Sequence, residues 1–440
     1  MNTDIDVRDI LGRHILLGEM PLVMDLERSQ GSWIVDQRDG AEYLDLYSMY
    51  ASQAIGYNHP KMIEYKEELM RAAIQKPSCS DIYTRQMAQF MAVFERVAIP
   101  DGLPHAFFIE GGALAVENAL KTAFDWKTRL NLACGKADVP GDMIIHFKEA
   151  FHGRSGYTLS LTNTFNPDKT KYFPKFEWPR IDNPKLFFPV DRAERQRVAE
   201  AESQALTQIR NAIDQYGHRI AGLIIEPVQS EGGDNHFRPE FMQALREVCS
   251  QNDIIFILDE VQTGIGLTGK FWAYEHAGVV PDIVCFGKKT QVCGILAGPV
   301  IDRVEDNVFK RSSRIASTFG GNLVDMVRCR RILEIIETDN LVEAAARRGA
   351  DLLSGLKDLQ SRFSDQVSNV RGLGLLCAFD LPDPDFRKRF LDQCMASKVI
   401  LIGCGPQSVR LRPHLIVSTA EIEHGLHIMA DVLEKLTGHG

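Results

Sequence analysis

Apolar and polar positions alternate in blocks through the middle of this chain. Between about Gln75 and Phe319, short unbroken apolar runs are separated by stretches with helical spacing. The runs are Phe107-Phe108-Ile109, Met143-Ile144-Ile145, Gly222-Leu223-Ile224-Ile225, Ile254-Ile255-Phe256-Ile257-Leu258 and Ile283-Val284-Cys285-Phe286. Runs without polar interruptions suit strands buried on both faces of a parallel sheet. In residues 113–127, Val116, Leu120, Ala123 and Phe124 fall three or four apart, which gives a helix one apolar face. Strand and helix signals in alternation predict a mostly parallel sheet covered by helices, an α/β fold.

The flanks have another pattern. Trp33-Ile34-Val35 and Tyr43-Leu44-Asp45-Leu46 flank the turn-forming Asp39-Gly40 and predict a small antiparallel unit. After Gly320-Gly321-Asn322 a long helical region is expected over 323–363, then strands at 374–379 and 399–403 and a closing helix at 420–436. This predicts a second, smaller α+β unit. The expected division is an N-terminal segment, 1–74, packing with the small domain, a large domain over 75–322 and the small C-terminal domain over 323–440. There are no internal repeats or low-complexity segments.

With 440 residues and 45% apolar content, the chain can bury a large core. A net charge of −9 gives no basic field for nucleic acid or anionic lipid. No apolar run is long enough to cross a bilayer. The polar, acidic N-terminus lacks the features of a secretory or mitochondrial signal, so the cytoplasm is expected. Nine cysteines, scattered and some within apolar runs (Cys285, Cys377), suit reduced, buried thiols, and no metal site is expected.

Chemistry is concentrated between Ile254 and Lys288. The first apolar run there ends in Asp259-Glu260 and the second leads to Gly287-Lys288-Lys289. The C-terminal ends of strands are where open α/β sheets bind ligands. An acid and an amine placed there are what a pyridoxal phosphate enzyme needs: a lysine to form an imine with the aldehyde, and a carboxylate to keep the ring nitrogen protonated. Taken alone, Asp259 could cap a helix and Lys288-Lys289 could be a solvated pair.

Other segments offer fitting parts, each with a plainer alternative. Gly111-Gly112-Ala113 follows a strand and opens a helix, which suits a phosphate at the helix N-terminus or simply a tight turn. In Phe151-His152-Gly153-Arg154 the ring could stack on a pyridine and the arginine fork could grip a carboxylate, or the two could be core and surface residues. Glu226 and Glu231 again place carboxylates at a strand's end, where most glutamates are simply solvated. Thr318 could be a helix cap.

The run Asp259 to Gly264 (Asp-Glu-Val-Gln-Thr-Gly), with Pro281-Asp282-Ile283 and Gly287-Lys288, resembles the class III aminotransferases, and the likeness extends over about residues 33–436. The resemblance implies a pyridoxal 5'-phosphate-dependent transferase of fold type I. Lys288, rather than Lys289, would carry the cofactor, and Asp259 would face its ring nitrogen. Gly111, Gly112 and Ala113 would hold the phosphate, although the serine or threonine often found in that loop is absent. Phe151 would stack on the ring, and His152, Glu226, Val261 and Gln262 would complete the cofactor site. Arg154 would hold a substrate carboxylate. Glu231 would form a swinging salt bridge with Arg412, neutralising it whenever the substrate lacks a second carboxylate. Thr318 would reach the cofactor phosphate of a neighbouring subunit, which implies a homodimer.

The stretches 108–121 and 286–294 resemble members of that family acting on the terminal amine of L-lysine, with 2-oxoglutarate as acceptor. Gln229 to His236 and Gly403-Cys404-Gly405 echo those acting on 4-aminobutyrate, and ornithine is a third donor to consider. One rival belongs to another class. Gly264 to Lys270 satisfies the Gly-x-x-x-x-Gly-Lys of nucleotide-binding loops, but Phe271 stands where a serine or threonine would hold magnesium, and Asp259-Glu260 precede it.

Overall fold

Neighbouring residues of the apolar runs face opposite layers. In the computed structural model, which describes residues 6–18, 20–75 and 81–438, Ile255, Ile257, Ile283 and Cys285 pack in one core with Val116, Leu120, Ala123 and Trp126 of the helix Gly112–Ala133. Phe256, Leu258, Val284 and Phe286 enter a second core on the other face, against Phe90 and Phe94 of Arg85–Val97, Ile209 of Arg192–Tyr216 and Phe241 and Leu245 of Pro239–Gln251. A two-residue side-chain period with both faces covered explains why these runs carry no polar positions.

The sheet has seven strands in the order His105–Ile109, Cys293–Ala297, Ile283–Phe286, Ile255–Asp259, Ile220–Ile225, Met143–Phe147, Arg180–Ile181. Five neighbouring strands are parallel, with Cys285 opposite Asp259 and Leu223 opposite Phe256. Cys293–Ala297 is antiparallel to both neighbours, so His105–Ile109 regains the common direction. The segments after Ile109, Phe147, Ile225, Asp259 and Phe286 therefore all emerge at one edge of the sheet.

The hairpin forms as expected, Trp33–Val35 against Glu42–Asp45, with Ile34 opposite Tyr43. The 323–363 region is two helices rather than one. Leu323–Thr338 ends at Asp339, which ion-pairs with Lys61, and Asn340 takes a left-handed φ of 51° before Leu341–Arg362. The expected strand at 399–403 is also divided. Val399–Ile400 runs parallel to Glu42–Asp45, while Ile402–Cys404 pairs with Ser408–Leu411. That second pair continues through Leu376–Asp380 to Ser368–Leu373 as a four-stranded antiparallel sheet. The closing helix is Thr419–Thr437, with a Ser418–Glu421 capping box. Residues 1–5 of the polar N-terminus, 76–80 at the start of the expected large unit, and Cys79 with them, lie outside the described residues.

Candidate active site

Asp259 ends its strand with a nearly inaccessible carboxylate. One oxygen, Oδ2, lies 2.8 Å from His152 Nδ1, and the other accepts the Val261 N–H at 3.1 Å. His152 is itself buried and its Nε2 has no partner among the described residues. Beside them, Glu226 accepts the N–H groups of Phe151 (2.9 Å) and Ser230 (3.1 Å), and burial pushes its carboxyl up to about 7. Glu226 thus ties the Phe151 loop to the end of the neighbouring strand.

The two lysines have unlike surroundings. Lys288 is half-buried, sits at a left-handed φ of 53° and donates from Nζ to Gln262 Oε1 at 2.6 Å. Such a backbone costs a non-glycine residue on the order of 1 kcal/mol, a strain typical of functional positions. Burial first, and then Arg410, brings its amine down from 10.5 to about 8. Lys289 is 2% exposed and donates to the Gln262 carbonyl at 2.8 Å, so it acts as a strut in the core. Gln262 is held in turn by donating from Nε2 to the Tyr50 carbonyl at 3.2 Å. Tyr50 belongs to a left-handed turn, Ser48–Ala51, with φ between 46° and 61° at all four residues.

The small residues of the phosphate segment have steric reasons. Gly111 takes φ 99° and caps the 22-residue helix Gly112–Ala133 without a side-chain bond, which leaves that N-terminus open to an anion. A Cβ on Gly112 would sit 2.9 Å from Val261 Cγ1, and one on Gly153 would sit 2.6 Å from the Ala113 Cβ. Gly111, Gly112, Ala113, Val261 and the Phe151–Gly153 loop are therefore drawn together around the ends of three strands. These residues fit pyridoxal phosphate: an uncapped helix start for its phosphate, a carboxylate with spare acceptor capacity for its ring nitrogen, and an amine of lowered basicity for its aldehyde.

An amine with its pKa near 8 is about half neutral at that pH, and only the neutral form attacks an aldehyde. Uptake of pyridoxal phosphate by the cofactor-free protein is therefore expected to speed up as pH rises through about 8 and to level off above it. Stopped-flow absorbance measures this. A rate still climbing steeply toward pH 10 would contradict the environment described for Lys288.

One expectation and one plainer alternative need correction. Glu231 does not pair with Arg412. Its Oε2 accepts from Arg410 at 3.0 Å and its Oε1 from Lys169 at 2.6 Å. Arg412 instead ion-pairs with Asp234, and both are fully buried. Arg410 and Arg412, two apart on an extended segment, share a face, and the turn from Ser230 to Asp234 decides which carboxylate meets which. Of the two arginines, Arg410 is therefore the one paired with Glu231, and it is also the larger influence on the Lys288 amine. Nor does Thr318 cap a helix. It is exposed in a turn, and Asn322 caps Leu323–Thr338 by accepting the Val324 N–H at 3.1 Å. Arg154 is exposed and has no hydrogen-bond or ion-pair partner among the described residues.

Other parts of the motifs are structural. Glu260 is buried and accepts from the N–H groups of Ala273 and Tyr274 at 3.0 and 2.8 Å. Asp282 accepts the Phe256 N–H and pairs with Arg246, both at 2.8 Å. The Gly264 to Lys270 loop leads into no α-helix but into a short 3-10 turn, Ala273–Ala277. Its glycines press on another element: a Cβ at Gly269 would lie 2.8 Å from the Ala346 Cβ in the helix Leu341–Arg362. That loop has no helix N-terminus to offer a phosphate.

Comparison with known proteins agrees with this geometry. The family model described as aminotransferase class-III matches residues 17–433. The L-lysine-epsilon aminotransferase of Mycobacterium tuberculosis is 50% identical over 98% of this chain and 96% of its own length. That of Amycolatopsis lactamdurans is 48% identical over 97% and 95%. The mitochondrial 4-aminobutyrate aminotransferase of Sus scrofa is 32% identical over 92% and 84%. Among solved structures, a lysine aminotransferase from M. tuberculosis in the internal aldimine form superposes with a TM-score of 0.95 at 50% identity, covering 98% of this chain and 99% of that one.

Proposed function

The chain belongs to the class III aminotransferases, and from that premise we propose that it moves the ε-amino group of L-lysine to 2-oxoglutarate. The products are 2-aminoadipate 6-semialdehyde, which cyclises to a piperideine carboxylate, and L-glutamate. The observation that carries the reading is the Lys288 amine, lowered to about 8 and held by Gln262, at the same sheet edge as the His152-bound Asp259.

Pyridoxal 5'-phosphate, when bound, supplies the aldehyde that takes up the donor's nitrogen and the ring that accepts electrons. The chain's residues do the rest. Asp259, oriented by His152, holds a proton at the ring nitrogen. Lys288 Nζ takes a proton from the donor carbon that bears the amine and returns it on the far side of the transferred nitrogen. Gly111, Gly112 and Ala113 would hold its phosphate at the helix start, and Phe151, Glu226, Val261 and Gln262 would line the rest of its site. Arg154 binds the carboxylate common to donor and acceptor. Arg410, neutralised by Glu231 while the apolar lysine chain is bound, takes the second carboxylate of 2-oxoglutarate when Glu231 moves aside.

Lysine is favoured over 4-aminobutyrate and ornithine because the half-identical relatives are lysine aminotransferases, while the 4-aminobutyrate enzyme stands at about a third. A donor panel with 2-oxoglutarate as acceptor tests this. Lysine is expected to exceed ornithine, one methylene shorter, by about tenfold or more in kcat/KM, with 4-aminobutyrate lower still. A larger value for either competitor would reassign the donor and leave the chemistry in place.

The same reading divides the chain into a cofactor-carrying unit, 75–322, and a smaller one formed by 323–440 with 1–74. It makes the enzyme a homodimer, with the exposed Thr318 offered to the partner's cofactor phosphate. Among the described residues no helix is long and apolar enough to cross a membrane. The described cysteines are free and mostly buried, which suits the reducing cytoplasm.

A further inference from the structure

We propose that Lys169 is a specificity-determining residue: it is the cation that holds Glu231 when Glu231 leaves Arg410 to admit the dicarboxylate acceptor. The proposal rests on the exchange between Arg410 and Glu231 described above and names the residue that lets it run.

Glu231 has two cations, one on each oxygen. Arg410 meets Oε2 at 3.0 Å from a position almost closed to solvent, its side chain 4% exposed. Lys169, at the end of the short turn Pro167–Lys169, meets Oε1 at 2.6 Å, and both of these side chains are about a fifth exposed. The inner cation is thus fixed in the protein, while the outer pair lies where movement is possible. Lys169 also belongs to the active site by position, since its ammonium stands 5.9 Å from the ring centre of Phe151 and 5.9 Å from that of Phe165.

Among the described residues, two further cations near this pair are engaged elsewhere. Arg412 is committed to Asp234 in the core. Arg387 spends its guanidinium on the carbonyls of Cys404 and Gly405, at 3.0 and 2.9 Å. Burial raises the Glu231 carboxyl, and Arg410 and Lys169 together outweigh that and leave it below the ordinary value. A carboxylate in this setting that lost Arg410 and had no second partner would be a half-buried, uncompensated charge.

The two states depend on Lys169 unequally. While Glu231 is on Arg410, that cation stays with it even when Lys169 is lost. Once the acceptor's carboxylate has taken Arg410, Lys169 is the remaining partner. Removing Lys169 therefore penalises the open state, the one that binds dicarboxylates, and spares the closed state that receives lysine.

The test measures binding to the holoenzyme by calorimetry with two unreactive probes. Glutarate carries both carboxylates, and hexanoate carries one on a chain of lysine's length. Lys169→Met is expected to weaken glutarate about tenfold and leave hexanoate unchanged, with Lys169→Arg restoring glutarate. Unchanged glutarate affinity in Lys169→Met, or an equal weakening of both probes, would overturn the proposal, because a merely structural lysine would affect both. Arg410→Met in the same assay examines the exchange beneath it. Glutarate lost there but kept in Lys169→Met sinks the role of Lys169 alone, whereas glutarate unaffected there sinks the exchange and the proposal with it.

Discussion

Lys288→Ala is expected to lose more than about 10⁴-fold in kcat/KM for lysine and 2-oxoglutarate while remaining folded. Two contributions vanish together: the amine that takes the cofactor's aldehyde and the base that moves the proton. Lys289 cannot substitute, because its Nζ is fixed on the Gln262 carbonyl within the core. The fold should tolerate the change, since the one hydrogen bond given up by Lys288 Nζ is to a side-chain amide, and alanine accepts the left-handed φ of 53° about as poorly as lysine does. Steady-state kinetics with circular dichroism as a folding control measures this. Activity within about a hundredfold of the wild type would mean that another amine can serve.

Asp259→Asn is expected to lower kcat by about 10³-fold or more, the scale of removing a preorganised charge from a water-poor site. Asparagine keeps the shape and can still accept from Val261, so packing should change little. It cannot hold a proton at a pyridine nitrogen as a carboxylate does, and His152 loses the charge 2.8 Å from its Nδ1. Glu226 does not make good the loss: it is engaged with the Phe151 and Ser230 N–H groups, and burial has already raised it to about 7. Absorbance of the bound cofactor separates a catalytic defect from a failure to bind. A variant that binds cofactor normally and retains a tenth of the wild-type kcat would remove Asp259 from the role given to it.

The central sheet was legible because strands buried on both faces leave an unmistakable signal, and Ile255–Asp259 and Ile283–Phe286 lie where the apolar runs predict. Cys293–Ala297 escaped notice because Gly294 interrupts its apolar run. That glycine is required, since a Cβ there would lie 2.1 Å from the Phe107 carbonyl of the adjacent strand. The break at Asn340 was hidden inside helical spacing that continues on both sides of it, and the division at Leu401 depends on two different partner strands. Tertiary pairing of that kind is absent from local pattern.

At the site, strand-end residues were found from sequence because the sheet edge collects them. Lys288 and Lys289 are equivalent by local pattern; the family resemblance points to Lys288, and the packing around Gln262 gives the physical difference between them. Arg410 and Arg412 pose the same difficulty across a two-residue step, and here the expectation chose the residue that turned out to serve the core. Lys169, 62 residues from Glu231 in the chain, carried no signal that spacing could expose.

The central claim is that the Lys288 side chain is the one that carries the cofactor. Borohydride reduction of the cofactor-loaded enzyme, followed by proteolysis and mass mapping, tests it most directly. The reduced pyridoxyl mass is predicted on the peptide containing Gly287-Lys288-Lys289, with fragmentation placing it on Lys288. A label on Lys289 or on any other residue, or no label at all on an enzyme that transaminates, would contradict the account.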